Sequence, residues 1–203
     1  MKKNTQPLAP DTYYHLYNRG IDSQTIFREK RNYNFFMRKY LRYIHPIAKT
    51  YAFCLLRNHF HFFICIRSEE TLKQLIPNGK FYSLEKFISL QFSHLFNSYV
   101  QAINKRFLRT GGLFETPFRR IAIEDEQYLI QLIAYIHLNP FKHGYSNDYI
   151  NYPYSSFHLL LEGNNKILES KTVMDWFGGS ELFKKFHDNW STKLEIDSKF
   201  TFD

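Results

Sequence analysis

The order of elements along the chain predicts an α+β fold of the ferredoxin-like or RRM-like kind, an antiparallel sheet with helices on one face, plus a helical C-terminal extension. Two observations lead there. β-branched, aromatic or alternating segments fall at residues 12–18, 50–56, 59–66 and 118–123, while apolar side chains at three- and four-residue spacing fall at 29–43 and 84–108. The resulting order is strand, helix, strand, strand, helix, strand. The chain of 203 residues is also long enough for one domain with a good core and an appendage, divided here into 1–150 and 151–203.

The first strand, Thr12 to Asn18, places Tyr13, His15 and Tyr17 on one face and stops at Asn18-Arg19-Gly20. From Glu29 to Tyr43 the apolar positions Phe35, Phe36, Tyr40, Leu41 and Ile44 mark a helix that ends near Pro46. Thr50 to Leu56 is the second strand, and Arg57-Asn58 is short enough for a hairpin turn into the third. Glu69 to Lys80, containing Pro77-Asn78-Gly79, reads as a loop or a loosely helical insertion. Leu84 to Leu108 is a long amphipathic helix closed by Gly111-Gly112. Its last turns hold Lys105, Arg106 and Arg109, which complement the helix dipole and could equally face phosphates.

In the fourth strand, Phe118 to Ile123, Arg119 and Arg120 point to opposite faces. The acidic run Glu124-Asp125-Glu126 then opens a helix that continues from Tyr128 to Leu138 and is expected to stop at Asn139-Pro140. Tyr128, Tyr135 and Asn139 share a stripe if the helix reaches that far. Periodicity alone reads Asn139 as a cap and Tyr135 as a core aromatic. Within the extension, Glu181 to Trp190 has a helical pattern.

The third strand carries the chemistry. In Asn58-His59-Phe60-His61-Phe62 the two histidines project from one face, with roots about 7 Å apart, a span that converging rings can close onto one metal ion. A pair of hydrogen-bonded core histidines is the plain alternative. Two imidazoles on an apolar strand are nevertheless costly to bury unless something coordinates or ionises them, which favours the metal.

With 27 Lys+Arg against 19 Asp+Glu the formal charge is +8, and aromatic residues make up 19% of the chain. Cations interleaved with aromatics suit an anionic, stackable partner such as single-stranded nucleic acid. The phosphate-facing candidates are Arg19, Lys105, Arg106, Arg109, Arg119, Arg120 and Lys142. Cys54 and Cys65 match no zinc or redox spacing, and Cys65 lies ~13 Å along the strand from His61, too far to share an ion. No apolar run has the length of a membrane span, and Met1-Lys2-Lys3-Asn4 is not followed by a signal-type core, so a cytoplasmic protein with reduced thiols is expected.

Four blocks together resemble the single-tyrosine transposases of the HUH superfamily, in particular the REP-associated tyrosine transposases. They are Tyr14-His15-Leu16-Tyr17-Asn18-Arg19-Gly20, Asn58-His59-Phe60-His61, Gly112-Leu113-Phe114 to Phe118, and Tyr135-Ile136-His137-Leu138-Asn139-Pro140. The resemblance runs from about Tyr13 to Gly144 and departs from the family at Arg57, where related sequences often carry proline. It implies cleavage of single-stranded DNA beside hairpins through a covalent tyrosine link to a 5′ phosphate. It further implies Tyr135 as nucleophile and His59, His61 and Asn139 as ligands of a divalent ion. Mg²⁺ or Mn²⁺ is expected, with imidazole donors leaning towards Mn²⁺ and zinc as the rival. A monomer or homodimer acting on hairpin or palindromic DNA is the expected assembly. Two other readings remain open on the sequence: a non-catalytic RRM-like nucleic-acid binder, and a rolling-circle initiator of the same superfamily, which Tyr128 would serve as a second tyrosine.

Overall fold

The computed structural model describes residues 6–76 and 83–196. The strands are β1 (Tyr13–Arg19), β2 (Ala48–Leu55), β3 (His59–Ile66) and β4 (Arg119–Ile123). The helices are α1 (Lys30–Tyr43), α2 (Glu69–Leu75), α3 (Leu84–Arg106), α4 (Glu126–Lys142), α5 (Phe157–Glu162), α6 (Ser170–Phe177) and α7 (Ser180–Ile196). The predicted α+β architecture is present: β2-β3-β1-β4 form one antiparallel sheet. Where a loop or loose helix was expected after Glu69, Ser68 accepts a hydrogen bond from the Thr71 amide and caps a regular helix, α2. Pro77-Asn78-Gly79 lies outside the described residues.

The two faces of the sheet differ in chemistry because side chains alternate along each strand. On one face Phe60, Phe62 and Leu16 meet α1 and α3, with Tyr40 stacked on Phe62 at 4.3 Å and Phe36 and Phe96 flanking Phe60 at 5.2 and 6.1 Å. The polar tips buried there find partners: the Tyr40 and Thr50 hydroxyls are 2.8 Å apart, and the Tyr99 hydroxyl donates to the Ile26 carbonyl.

The other face carries His59, His61, Phe63, His15 and Tyr17. It is covered by α4 and by the C-terminal extension. A bulge in β2 leaves Tyr51 without a cross-strand partner between Thr50 and Ala52. Tyr51 stacks against Trp176 of α6 at 5.0 Å, and Trp176 also reaches Tyr13 and Phe63.

The β2–β3 turn tolerates Arg57 because its neighbours fix the backbone. The Leu56 amide donates to the His59 carbonyl, the Arg57 carbonyl accepts from the Ile26 and Phe27 amides, and the Asn58 carbonyl accepts from Gly20. Gly20 is required by this close approach: a Cβ there would lie 2.1 Å from the Gln24 carbonyl oxygen.

The predicted stop at Asn139-Pro140 does not occur. α4 runs through Pro140 to Lys142. Its last turn closes around the proline, with the His143 amide on the Asn139 carbonyl and the Tyr145 amide on the Pro140 carbonyl at 2.8 Å, so Asn139 sits inside the helix rather than capping it.

A buried chain of hydrogen bonds ties α4 to β2 and α7. The His187 Nδ1 must donate to the Phe183 carbonyl at 2.8 Å, so its Nε2 accepts from His137 Nδ1 at 2.9 Å. His137 Nε2 then accepts from the Ser156 hydroxyl at 2.8 Å, whose oxygen takes the Phe53 amide proton. Both imidazoles are fully buried. Burial lowers both pKa values, that of His187 to about 4, so this chain requires neutral rings.

A histidine whose folded pKa is depressed binds more protons when unfolded, so its stabilisation is complete above the unfolded value near 6.5 and declines as pH falls towards 4. At neutral pH, His187→Leu should destabilise the protein by about 1–3 kcal/mol, because the His137 N–H loses its acceptor. The gap between variant and wild type in urea denaturation should narrow as the pH drops from 6.5 to 4. A gap independent of pH would contradict the arrangement.

Candidate active site

Antiparallel pairing sets the site. β1 and β3 pair so that Tyr17 lies opposite His61, Arg19 opposite His59 and His15 opposite Phe63; β4 adds Arg119 opposite Tyr17. These side chains share one face, and a cleft of about 400 Å³ opens among Tyr17, Arg19, His59, His61, Arg119 and Tyr145. His59 and His61 face each other edge to plane with ring centres 5.2 Å apart.

Tyr135 reaches this cluster from α4. Its ring stands edge-on to His61 at 5.7 Å and to His15 at 6.1 Å, and the Lys142 ammonium lies 4.9 Å from its centre. One turn later Asn139 donates its amide to the Tyr135 carbonyl at 2.9 Å. Tyr135 is 1% exposed and Asn139 is fully buried.

His61 is held neutral. Burial lowers its pKa well below the ordinary value, and the nearby His15, His59, His143 and Lys142 push in the same direction. Its Nδ1 lies 3.0 Å from His15 Nε2. His59 Nδ1 lies 2.7 Å from the Asn58 side-chain oxygen, which also accepts from the Tyr145 hydroxyl.

His61 Nε2 and Asn139 Oδ1 are buried with no hydrogen-bond partner among the described residues. Such atoms are expensive to bury unless a ligand satisfies them, and a neutral imidazole nitrogen with an amide oxygen suits a divalent cation. Among the described residues no three His, Cys, Asp or Glu side chains form a metal cluster.

The basic candidates separate. Arg19 and Arg119 line the cleft, each 3.8 Å from Glu115 and about half exposed. Lys142 is at Tyr135. Arg120 turns to the opposite face and donates to the Gln6 carbonyl. Arg109 is engaged by Asn104, Gln24 and Gly112, clamping the loop after α3, and Arg106 pairs with Glu29 at 3.6 Å. Lys105 is exposed near the end of α3 and is not among the described residues that line the cleft. Tyr128 stands outside the histidine cluster, against the β4 edge beside Tyr17 and Arg119, and burial raises its pKa. Sequence reasoning did not single out Asn58, His143 or Tyr145, and it placed His15 on this face without a role. Strand register brings His15 to the histidine pair, and the packing of the segment after α4 brings His143 and Tyr145 to His59 and Asn58.

No family model matches the chain. A curated Haemophilus influenzae protein, provisionally described as a REP-associated tyrosine transposase, is 31% identical over 117 residues. The match covers 56% of this chain and 61% of that protein, so the chain spans somewhat under two thirds of its relative's length. Among solved structures, a REP-associated tyrosine transposase bound to a REP hairpin superposes with a TM-score of 0.59 at 15% identity, over 82% of this chain and 90% of that one. The fold likeness and the curated relative thus agree with the resemblance read from the four sequence blocks.

A buried amide with one end unsatisfied contributes little net stability. In EDTA, Asn139→Leu should therefore leave urea stability within about 1 kcal/mol of wild type or raise it, because an apolar group of similar size removes the unpaired oxygen. A loss of 3 kcal/mol or more would mark Asn139 as a structural residue instead.

Proposed function

We propose that the chain is a metal-dependent single-stranded DNA endonuclease and strand transferase, a transposase of the single-tyrosine HUH type that cuts beside hairpins. The observation that carries this reading is the meeting of Tyr135 with His61 and His15, on a helix whose Asn139 oxygen is buried without a partner. The hairpin substrate is taken from the solved neighbour, whose DNA is a REP hairpin.

His59, His61 and Asn139 would hold the ion. Mg²⁺ or Mn²⁺ bound by neutral donors would bring nearly its full positive charge to the non-bridging oxygens of the scissile phosphate. Tyr135 supplies the nucleophile. Its hydroxyl oxygen gives up a proton and bonds to phosphorus, the bond from phosphorus to the 3′ oxygen breaks, and that oxygen takes up a proton as the free 3′ hydroxyl. The 5′ phosphate stays on the tyrosine. Because one phosphodiester replaces another, a second 3′ hydroxyl can attack it and rejoin strands without ATP.

The surrounding residues have separate tasks. The Lys142 ammonium lies 4.9 Å from the centre of the Tyr135 ring, the place of a cation beside the negative charge that passes through the tyrosine oxygen. Arg19 and Arg119 flank the cleft where the DNA backbone would run, bridged by Glu115 between them. With Tyr135 only 1% exposed, a phosphate reaches it once the Lys142–Tyr145 segment turns aside. The RRM-like binder is the weaker reading, since stacking bases on the sheet requires an open face and here both faces are covered by helices.

Tyr135→Phe should abolish the covalent protein–DNA adduct with a single-stranded hairpin oligonucleotide while DNA binding persists, and Tyr128→Phe should not. Mass spectrometry of the trapped adduct should locate the nucleotide on the peptide containing Tyr135; finding it on Tyr128 would reverse the assignment. The affinity for single-stranded DNA should also fall with salt on a log-log slope of about −0.7 per neutralised phosphate, and Arg119→Gln should reduce that slope by about 0.7. A flat salt response would disqualify the cleft arginines as phosphate contacts.

A further inference from the structure

We propose that His15 is a positioning residue for the ion site: its Nε2 accepts the Nδ1 proton of His61 and so holds His61 in the tautomer whose Nε2 is a bare lone pair. This rests on the reading of His61 as a ligand. A neutral imidazole carries one proton, and a ring that coordinates through Nε2 must carry it on Nδ1. That proton then needs an acceptor. His15 Nε2 is 3.0 Å away, the two rings are nearly parallel, and the pair is 0% and 1% exposed, so bulk water does not substitute.

His59 has a separate device. Its Nδ1 meets the Asn58 side-chain oxygen, which only accepts, and that amide is oriented by the Tyr145 hydroxyl on its oxygen and by the Ser23 carbonyl under its nitrogen. The protonation of His59 is therefore fixed by an atom with one possible role. His61 faces an imidazole, which can donate or accept, so His15 decides the outcome. Outer partners of this kind commonly change metal affinity 10–100-fold when removed. The placement follows from register: with Tyr17 opposite His61, His15 is the diagonal neighbour two residues along β1.

The test uses the full chain with Mn²⁺ alone, by titration calorimetry. His15→Phe keeps a ring but removes the acceptor; His15→Gln restores a carbonyl oxygen near the position of Nε2. The phenylalanine variant should bind Mn²⁺ about 10–100-fold more weakly than wild type, and the glutamine variant should recover most of that loss. In the Mg²⁺-loaded wild type, long-range ¹⁵N–¹H correlation should show the His61 proton on Nδ1. Unchanged affinity in His15→Phe overturns the role given to His15 while the ion site stands, whereas a His61 proton on Nε2 in the loaded protein overturns both that role and coordination through Nε2. Absence of Mn²⁺ binding by the wild type overturns the ion site and the role of His15 together. If the phenylalanine variant fails to fold, the glutamine variant and the wild-type spectrum still decide, because a glutamine variant that loses binding altogether would contradict an acceptor role.

Discussion

His15 and His61 lie 3.0 Å apart where the sheet is closed to water, and the consequences of that contact run through the site. Two imidazoles buried together cannot both be charged, so His61 is kept neutral by burial and by its neighbours. A neutral ring presents a lone pair, which is what coordination of a cation requires. To exclude water, something must cover the polar face of the sheet, and α4 does so with Tyr135 laid edge-on to both rings. The helix that covers the histidines is thus also the one that brings Tyr135 to them.

The sheet and its apolar face were legible because alternation and helical spacing are local properties. Phe60 and Phe62 go one way and His59 and His61 the other whatever their partners, and the spacing of Phe36 and Tyr40 already defines the face that meets Phe60 and Phe62. The end of α4 was not legible. Proline usually ends a helix, yet Pro140 lies in the last turn, where the amides of His143 and Tyr145 close the chain around it. α5 and α6 are too short to declare themselves by periodicity, and Trp176 acquires its meaning only once a β2 bulge turns Tyr51 towards it.

The site was legible in part. Side-chain alternation brings His59 and His61 together, but periodicity left Tyr135 as an ordinary core aromatic, and the role proposed for it came from the resemblance. The supporting residues were hidden for a different reason. His15, Asn58 and Tyr145 meet the two histidines through strand register and loop packing, which residue spacing does not encode. The arginines show the same limit: Arg109 and Arg119 are equivalent as sequence, yet one clamps a loop and the other lines the cleft.

The same geometry restricts how DNA could enter. On the far side of α4, His137 is hydrogen-bonded to His187 and Ser156 through atoms that each have a single role, and the chain ends on backbone groups of β2 and α7. Swinging the whole helix away would break that chain in the interior, where each unsatisfied donor or acceptor costs about 1–3 kcal/mol. The C-terminal end of α4 is held by exposed groups instead: His143, Gly144 and Tyr145 are solvent-exposed, so their bonds to the last turn and to Asn58 can be exchanged for water. Lys142, His143 and Tyr145 belong to this end and lie over the ring of Tyr135, against His59 and on Asn58, respectively. The economical opening therefore moves residues 142–145 and leaves Tyr135 and Asn139 in place. On the proposed reading, such a site would keep Tyr135 and Asn139 on the helix and confine motion to the short segment that shields them.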